Sequence, residues 1–268
     1  MNRTELLPDR PGIPPMAPLP EAETIDPEAL LALFRSGEAD LVCVLGPTAS
    51  GKTRYAVALA RALGVPAEIL SADSRQVYRG MDIGTGKDLS EYGEVPYHLI
   101  DIVPAGEKFN IYQYQEAFAA AYADVLRRGA VPILCGGSGL YIESVTRAYK
   151  FEKGNGLPPE RLPQKPFYIG TLVSREERVA RIDRRLEERL QEGLVEEVRG
   201  LLEGGVAPED LIYYGLEYKF VTQYLLGQYS YDDMVILLGN AIHQFAKRQM
   251  TWFRGMERDG VRIHWTRP

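Results

Sequence analysis

Through the first two thirds of the chain, short apolar runs alternate with longer stretches whose apolar residues recur at three- and four-residue spacing. The runs are "LVCVL" (41–45), "AEILSADS" (67–74), "YHLIDIV" (97–103), "VPILC" (131–135) and "FYIGTLV" (167–173). Strands covered on both faces of a parallel sheet leave this pattern, because neither face has to be polar. Between them lie "DPEALLALFRSG" (26–37), "KTRYAVALARALG" (52–64) and "IYQYQEAFAAAYADVLRRG" (111–129), each helical in period and each closed by glycine. In the first, Asp26 can cap, Pro27 suits the first helical position and Gly37 suits the stop. Strand–helix alternation predicts a parallel, doubly wound α/β sheet flanked by helices, with right-handed crossovers.

Beyond residue 174 the pattern is helical. Wound as a helix, "SREERVARIDRRLEERL" (174–190) puts Arg175, Arg178, Arg181, Arg185 and Arg189 on one stripe. Val179, Ile182, Leu186 and Leu190 lie beside it, with Glu176, Asp183 and Glu187 opposite. The arginines read as a solvated face laced with ion pairs. The exception is Arg175, where a strand ends and the helix starts. The last helix, "SYDDMVILLGNAIHQFAKRQMTWFRG" (230–255), opens on Ser230 as a cap and carries Met234, Leu237, Leu238, Ala241 and Phe245 as its apolar stripe. Its end is basic and aromatic, with Lys247, Arg248, Trp252, Phe253 and Arg254. That pattern suits nucleic acid, and equally a helix whose last carbonyls meet cations.

No internal repeat is visible. Residues 1–40 read as a flexible, proline-rich arm with a short helix, and 41–268 as the core. The segment "FEKGNGLPPERLPQK" (151–165), with two glycines and three prolines, reads as a loop interrupting one sheet. The start of the chain has no apolar signal-peptide region, and no run is long enough to cross a membrane.

Composition narrows the class. The chain has 268 residues, 45% hydrophobic and 25% charged, as in a globular protein with a sizeable core. A net charge of −6 removes any global basic field that would draw it to nucleic acid or membrane, though a local patch can remain. Cys43 and Cys135 both sit in apolar runs and read as core residues, which fits a reducing cytoplasm.

The chemistry begins at "GPTASGKT" (46–53), which meets the phosphate-loop pattern G-x-x-x-x-G-K-[ST] at every fixed position and lies between a strand and a helix. Its amides and the following helix start attract an anion, Lys52 adds a mobile charge, and Thr53 can hold a magnesium ion. Nucleotide hydrolases with such a loop also carry an apolar strand ending in Asp. Here the best candidate, "VPILCGGSGLY" (131–141), ends in glycines. Asp73 closes the second strand, where open α/β sheets place their ligands. It can bind metal, accept a proton, or cap a turn with Ser71 or Ser74. "GGSGLY" (136–141) offers free amides, the Ser138 hydroxyl and the Tyr141 ring. Arg175 can reach a bound phosphate bidentately. His98 and His243 have no metal-ligand spacing.

"GPTASGKT", "SADSRQVYRGMDIGTGK", "VPYHLIDI", "ILCGGSGLYI", "SREERVARIDRRLEERLQEGLVEEV" and "AKRQMTWFR" occur in the order found in bacterial tRNA dimethylallyltransferases, and over residues 41–256 the chain resembles that family. The resemblance implies a P-loop NTPase-like parallel sheet with a helical C-terminal portion. It implies transfer of a dimethylallyl group from dimethylallyl diphosphate to the N6 amine of an adenine beside the anticodon of tRNA, with magnesium. Gly46, Pro47, Thr48, Ala49, Ser50, Gly51, Lys52, Thr53, Ser138 and Arg175 are then the diphosphate-binding residues, with Thr53 on the metal. Asp73 is the general base, with Thr48, Lys52 and Arg175 in the catalytic set. Asp73, Ser74, Arg75, Gln76, Gly137, Ser138 and Tyr141 lie against the acceptor. Ser138 stands where the family usually has threonine.

There is one large departure. The family carries, after its "GLYI" segment, a long helical insertion that embraces the anticodon stem-loop, and here only the 151–165 loop stands in its place. "YYGLEYK" (213–219) matches the family's "aIGYkE" loosely. The leading expectation is a monomeric, cytoplasmic prenyltransferase acting on tRNA. The alternatives are transfer to free adenine nucleotides, a P-loop nucleotide kinase or ATPase, and a binding protein that kept the fold.

Overall fold

The computed structural model describes residues 19–147 and 157–268. The first 18 residues of the expected arm, and residues 151–156 of the expected loop, lie outside the described residues. The first half of the chain runs α1 (Pro27–Arg35), β1 (Leu41–Leu45), α2 (Lys52–Ala62), β2 (Ala67–Ser71), β3 (Tyr78–Arg79), β4 (Tyr97–His98), β5 (Val103–Pro104) and α3 (Ile111–Arg127). It continues β6 (Val131–Gly136), α4 (Gly139–Thr146) and β7 (Pro166–Thr171). Five helices follow: α5 (Arg175–Glu192), α6 (Leu194–Glu203), α7 (Pro208–Tyr213), α8 (Leu216–Leu225) and α9 (Tyr231–Arg258); then comes β8 (Ile263–Thr266).

The main sheet has the order β4-β2-β6-β1-β7-β8, and all its pairings are parallel. β1 lies between β6 and β7 and is buried along its whole length. Alternation along it separates two cores. Leu41, Cys43 and Leu45 join Tyr114 and Phe118 of α3, Ile142 of α4 and Phe253 of α9. Val42 and Val44 join Leu30 of α1 and Ala56, Leu59 and Ala60 of α2. Cys43 and Cys135 are free thiols in these cores.

A third core gathers Tyr78 and Met81 with Ile182 and Leu186 of α5, Tyr218 of α8 and Met234, Leu238 and Ile242 of α9. α9 belongs to two cores, because further along it Met250, Phe253 and Met256 pack under the sheet. At 28 residues it is about 42 Å long. One continuous helix therefore fixes the helical portion against the sheet.

Two expectations are corrected. Residues 97–103 are not one strand: Leu99 and Asp101 adopt φ of 66° and 56°, and this left-handed backbone breaks the run into β4 and β5. The chain beyond 174 is not wholly helical either. β8 pairs with β7 through Tyr168–Ile263 to Thr171–Thr266, and its four residues are too short to signal from pattern alone. The expected caps are present: Asp26 accepts from the Glu28 N–H and Ser230 from the Asp233 N–H.

Candidate active site

The phosphate loop leaves the carboxyl end of β1 and becomes α2 at Lys52. Gly51 caps α2 in the left-handed region, at φ 80°, with no side chain closing the helix start. The first amides of α2 thus remain available to an anion. Gly46 and Ser50 face inward rather than into a cavity. Thr171 donates to the Leu45 carbonyl at 3.3 Å and its hydroxyl meets that of Ser50 at 2.7 Å, which ties the loop to β7. Lys52 curls back so that Nζ donates to the Pro47 carbonyl at 3.4 Å. Burial pushes its ammonium below the ordinary lysine range, Arg185 and Arg189 push it further, and Asp73 pulls it back up.

Two cavities meet here. The larger, about 590 Å³, is bordered by Thr48, Lys52 and Thr53 and by all seven expected acceptor residues, Asp73, Ser74, Arg75, Gln76, Gly137, Ser138 and Tyr141. The smaller, about 470 Å³, is bordered by Ala49, Gly51, Lys52 and Thr53 on one side and by α5 on the other. Lys52, Thr53, Gly86, Arg185 and Arg189 border both.

The turns bordering the larger cavity hold one another in place. The Asp73 N–H donates to Ser71 Oγ at 3.3 Å, and Asp73 Oδ1 accepts from the Arg75 N–H at 2.9 Å. The capping role weighed for Asp73 is therefore real, and it orients the carboxylate at the cavity wall. The Ser74 N–H donates to Ser138 Oγ at 3.0 Å, joining the turns after β2 and β6. Tyr141 is buried and stacks on Tyr114 with ring centres 3.9 Å apart, and Tyr114 donates to the Ser71 carbonyl at 3.0 Å.

Arg175 lies apart from the other expected site residues. It is exposed at the first position of α5 and borders neither cavity. It stands with Arg178 and Arg254; burial, then these two neighbouring charges, lower the pKa of Arg178. Arg181 donates to the Ala49 carbonyl of the phosphate loop at 3.5 Å, and the arginines that border both cavities lie ten and fourteen residues beyond Arg175, a rise of about 15–21 Å along the helix. Arg185 donates to the Gly86 carbonyl at 3.4 Å and to Asp88 at 2.5 Å. Arg189 donates to the Gly84 carbonyl at 3.4 Å and to Glu217 at 3.0 Å. Burial, then Arg185, lowers the pKa of Arg189. Arg181 borders the smaller cavity as well, so the stripe read as a solvated face is turned inward over much of its length. Gly86 adopts a left-handed φ of 61°, and a Cβ there would displace the guanidinium groups of Arg189 and Arg185.

The loop that receives these arginines is itself anchored. Glu197 of α6 accepts from the N–H groups of Asp82, Ile83 and Gly84 at 2.7–3.0 Å and from the Tyr218 hydroxyl at 2.7 Å. Lys87 is fully buried and donates to Asp82, to Asp101 and to the Tyr78 carbonyl.

Gln249 of α9 escaped the sequence reading. It accepts from the Thr48 N–H at 2.8 Å and donates to the Gly137 carbonyl at 2.9 Å, bridging the phosphate loop and the turn after β6. Its signal was present in the sequence: Ala246, Gln249, Met250 and Phe253 share helical spacing, so a polar residue occupies a core position. His98 and His243 bind Glu68 and Asp183, and no cluster of three or more His, Cys, Asp or Glu among the described residues could hold a metal.

Comparison with known proteins adds to this geometry. The family model described as IPP transferase matches residues 76–164 and 153–256, and one described as Isopentenyl transferase matches 39–95. A curated tRNA dimethylallyltransferase 1 from Parabacteroides distasonis is 47% identical over 283 aligned positions, covering 84% of this chain and 92% of the relative. The chain belongs to the IPP transferase family. A family member from Bacteroides fragilis, tRNA dimethylallyltransferase 2, is 45% identical with the same coverage of this chain and 92% of its own. Among solved structures, the full-length tRNA isopentenylpyrophosphate transferase of Bacillus halodurans aligns with a TM-score of 0.75 at 28% identity, over 85% of this chain and 89% of that one. The tRNA isopentenylpyrophosphate transferase of Staphylococcus epidermidis aligns at 0.73 and 29%, over 85% and 92%. The chain is nevertheless shorter inside the match. The share of its 268 residues aligned with the P. distasonis relative, 84%, is 225, so about 58 of the 283 aligned positions have no residue of this chain opposite. The two IPP transferase matches meet at 153–164.

Proposed function

We propose that this chain transfers a dimethylallyl group from dimethylallyl diphosphate to the N6 amine of an adenosine in tRNA. The observation that carries the reading is the junction of the two cavities. There Lys52, Thr53, Arg185 and Arg189 converge, and Asp73 borders the larger cavity beside them. Three cations and a free helix start suit a diphosphate. A carboxylate at the neighbouring wall suits removal of a proton from the acceptor. The relatives' names, tRNA dimethylallyltransferase, support tRNA as the acceptor. One chain carries every residue used. No helix among the described residues is long and apolar enough to cross a membrane.

In this mechanism the loop amides, the α2 start, Lys52 and Arg185 hold the diphosphate. Thr53 brings the one side-chain oxygen among the residues shared by the two cavities and would hold magnesium there, with the diphosphate supplying further oxygens. Magnesium of this kind needs no all-protein cage. When bound it supplies Lewis-acid neutralisation of the leaving group. The bond between the allylic carbon and the diphosphate oxygen breaks, the carbon takes up positive charge, and the N6 lone pair forms the new carbon–nitrogen bond. Amides and cations aimed at the departing oxygens stabilise that charge. The N6 proton passes to the Asp73 carboxylate as the bond forms, since the amine's lone pair is delocalised into the ring and needs this assistance. An adenine in an RNA loop must leave its stack to reach the cavity.

The test offers labelled dimethylallyl diphosphate and magnesium with unmodified tRNA, AMP, ADP and ATP side by side. Label in tRNA supports the reading; label in a mononucleotide alone overturns the acceptor and keeps the donor chemistry. Nucleotide hydrolysis with no prenyl transfer overturns both.

A further inference from the structure

One arginine–aromatic pair borders the larger cavity, a second lies at its edge with its arginine on the border, and neither belongs to the diphosphate site. On α9, the Arg248 guanidinium lies over the Phe245 ring at 5.8 Å from its centre, and both residues border the cavity with Trp252. On the other elements, Arg75 borders the cavity and lies over the Tyr213 ring at 5.9 Å. Tyr213 is 55% exposed and immediately precedes the cavity residues Tyr214 and Gly215. Phe245 and Trp252 are 38% and 41% exposed.

We infer that these two pairs are stacking platforms for the nucleotides that flank the target adenosine in a single-stranded RNA loop. The inference rests on the acceptor reading above and deepens it. Aromatic faces hold unstacked bases of any identity, and an arginine lying over the same ring meets the adjoining phosphate. The setting favours RNA as occupant. The chain is acidic overall, with a net charge of −6, yet an arginine lies over each of the Tyr213 and Phe245 rings. A base drawn out of its stack also leaves two neighbours without partners. The extraction is cheaper when the protein replaces the lost stacking on each side.

The experiment measures steady-state transfer to a short hairpin RNA with the target adenosine in its loop, using wild type, Phe245→Ala, Phe245→Trp, Tyr213→Ala and Arg248→Gln. Phe245→Ala and Tyr213→Ala should each raise the KM for the hairpin about tenfold. The KM for dimethylallyl diphosphate should stay within about twofold, because neither residue borders the smaller cavity. Phe245→Trp should restore the hairpin KM, since a larger ring stacks as well. Arg248→Gln should reduce the slope of log affinity against log salt by about one. An unchanged hairpin KM in both alanine variants overturns the inference, and so does failure of Phe245→Trp to rescue. Wild-type protein that prenylates mononucleotides and ignores the hairpin overturns the acceptor reading instead, and that arm needs no variant.

Discussion

Gln249 accepts the Thr48 backbone N–H at 2.8 Å across a separation of 201 residues, and through its other amide atom it holds the Gly137 carbonyl at 2.9 Å. One buried side chain on α9 thereby sets the spacing between the loop that holds the donor and the turn that borders the acceptor cavity. Gln249→Met keeps the length and loses both bonds. It should lower kcat by about one to two orders of magnitude, because misplacement of reacting groups by about 1 Å has that effect. It should also cost about 1–3 kcal/mol of stability for the two backbone groups left unpaired. Gln249→Glu retains the bond from Thr48 and should recover part of kcat. Steady-state kinetics beside thermal unfolding separates the two effects; a stability loss with unchanged kcat would make Gln249 structural only.

Asp73 is held at the cavity wall by the Arg75 N–H. Asp73→Asn preserves that acceptor and removes the base. Transfer should slow by about two to four orders of magnitude, while donor affinity stays within a few-fold. Calorimetric donor binding and single-turnover transfer measure the two halves independently, and a near-normal rate would remove Asp73 from the role.

Arg185 and Arg175 offer a direct contrast within one helix. Arg185 borders both cavities and Arg175 borders neither. Arg185→Ala should weaken donor binding by about one to two orders of magnitude, the scale of a lost charge-assisted bond to an oxyanion. Arg175→Ala should leave donor affinity within about threefold. Donor dissociation constants for the two variants check this, and the reverse order would restore the sequence-based assignment.

Lys52 makes donor binding sensitive to alkaline pH. Burial, with Arg185 and Arg189, holds its folded-state pKa below 10.5. The protonated form binds the diphosphate, so affinity should fall as pH rises through that lowered value, before an ordinary lysine would titrate. The sign for stability is opposite. Between the folded and unfolded pKa values the unfolded chain binds more protons, so this group makes stability rise with pH in that window. Lys52→Arg should keep donor affinity flat to higher pH and weaker throughout, because guanidinium does not lose its proton in this range. Calorimetric titration of donor binding from neutral to alkaline pH distinguishes the curves.

The sequence by itself determined the elements and the chemistry that sits on consecutive residues. β1, the phosphate loop and α2 are legible because strand, loop and helix start are local and their residue types are demanded by backbone amides, φ and burial. Asp73 is legible for the same reason: it follows an apolar run and begins a turn that its own carboxylate closes. What pattern could not show is which face of a helix meets which partner. The arginine stripe of α5 was visible, yet its inward turn depends on where the 82–88 loop lies, and that loop is held by Glu197 from another helix. The polar residue in the core stripe of α9 was equally visible, but its partners are contributed by β1 and β6 ends far away in the chain. β8 needed β7 beside it to become a strand. Local backbone preferences act over a few residues and so write themselves into sequence. Contacts closed over a hundred residues or more are decided only when the cores pack and fix the helices against the sheet.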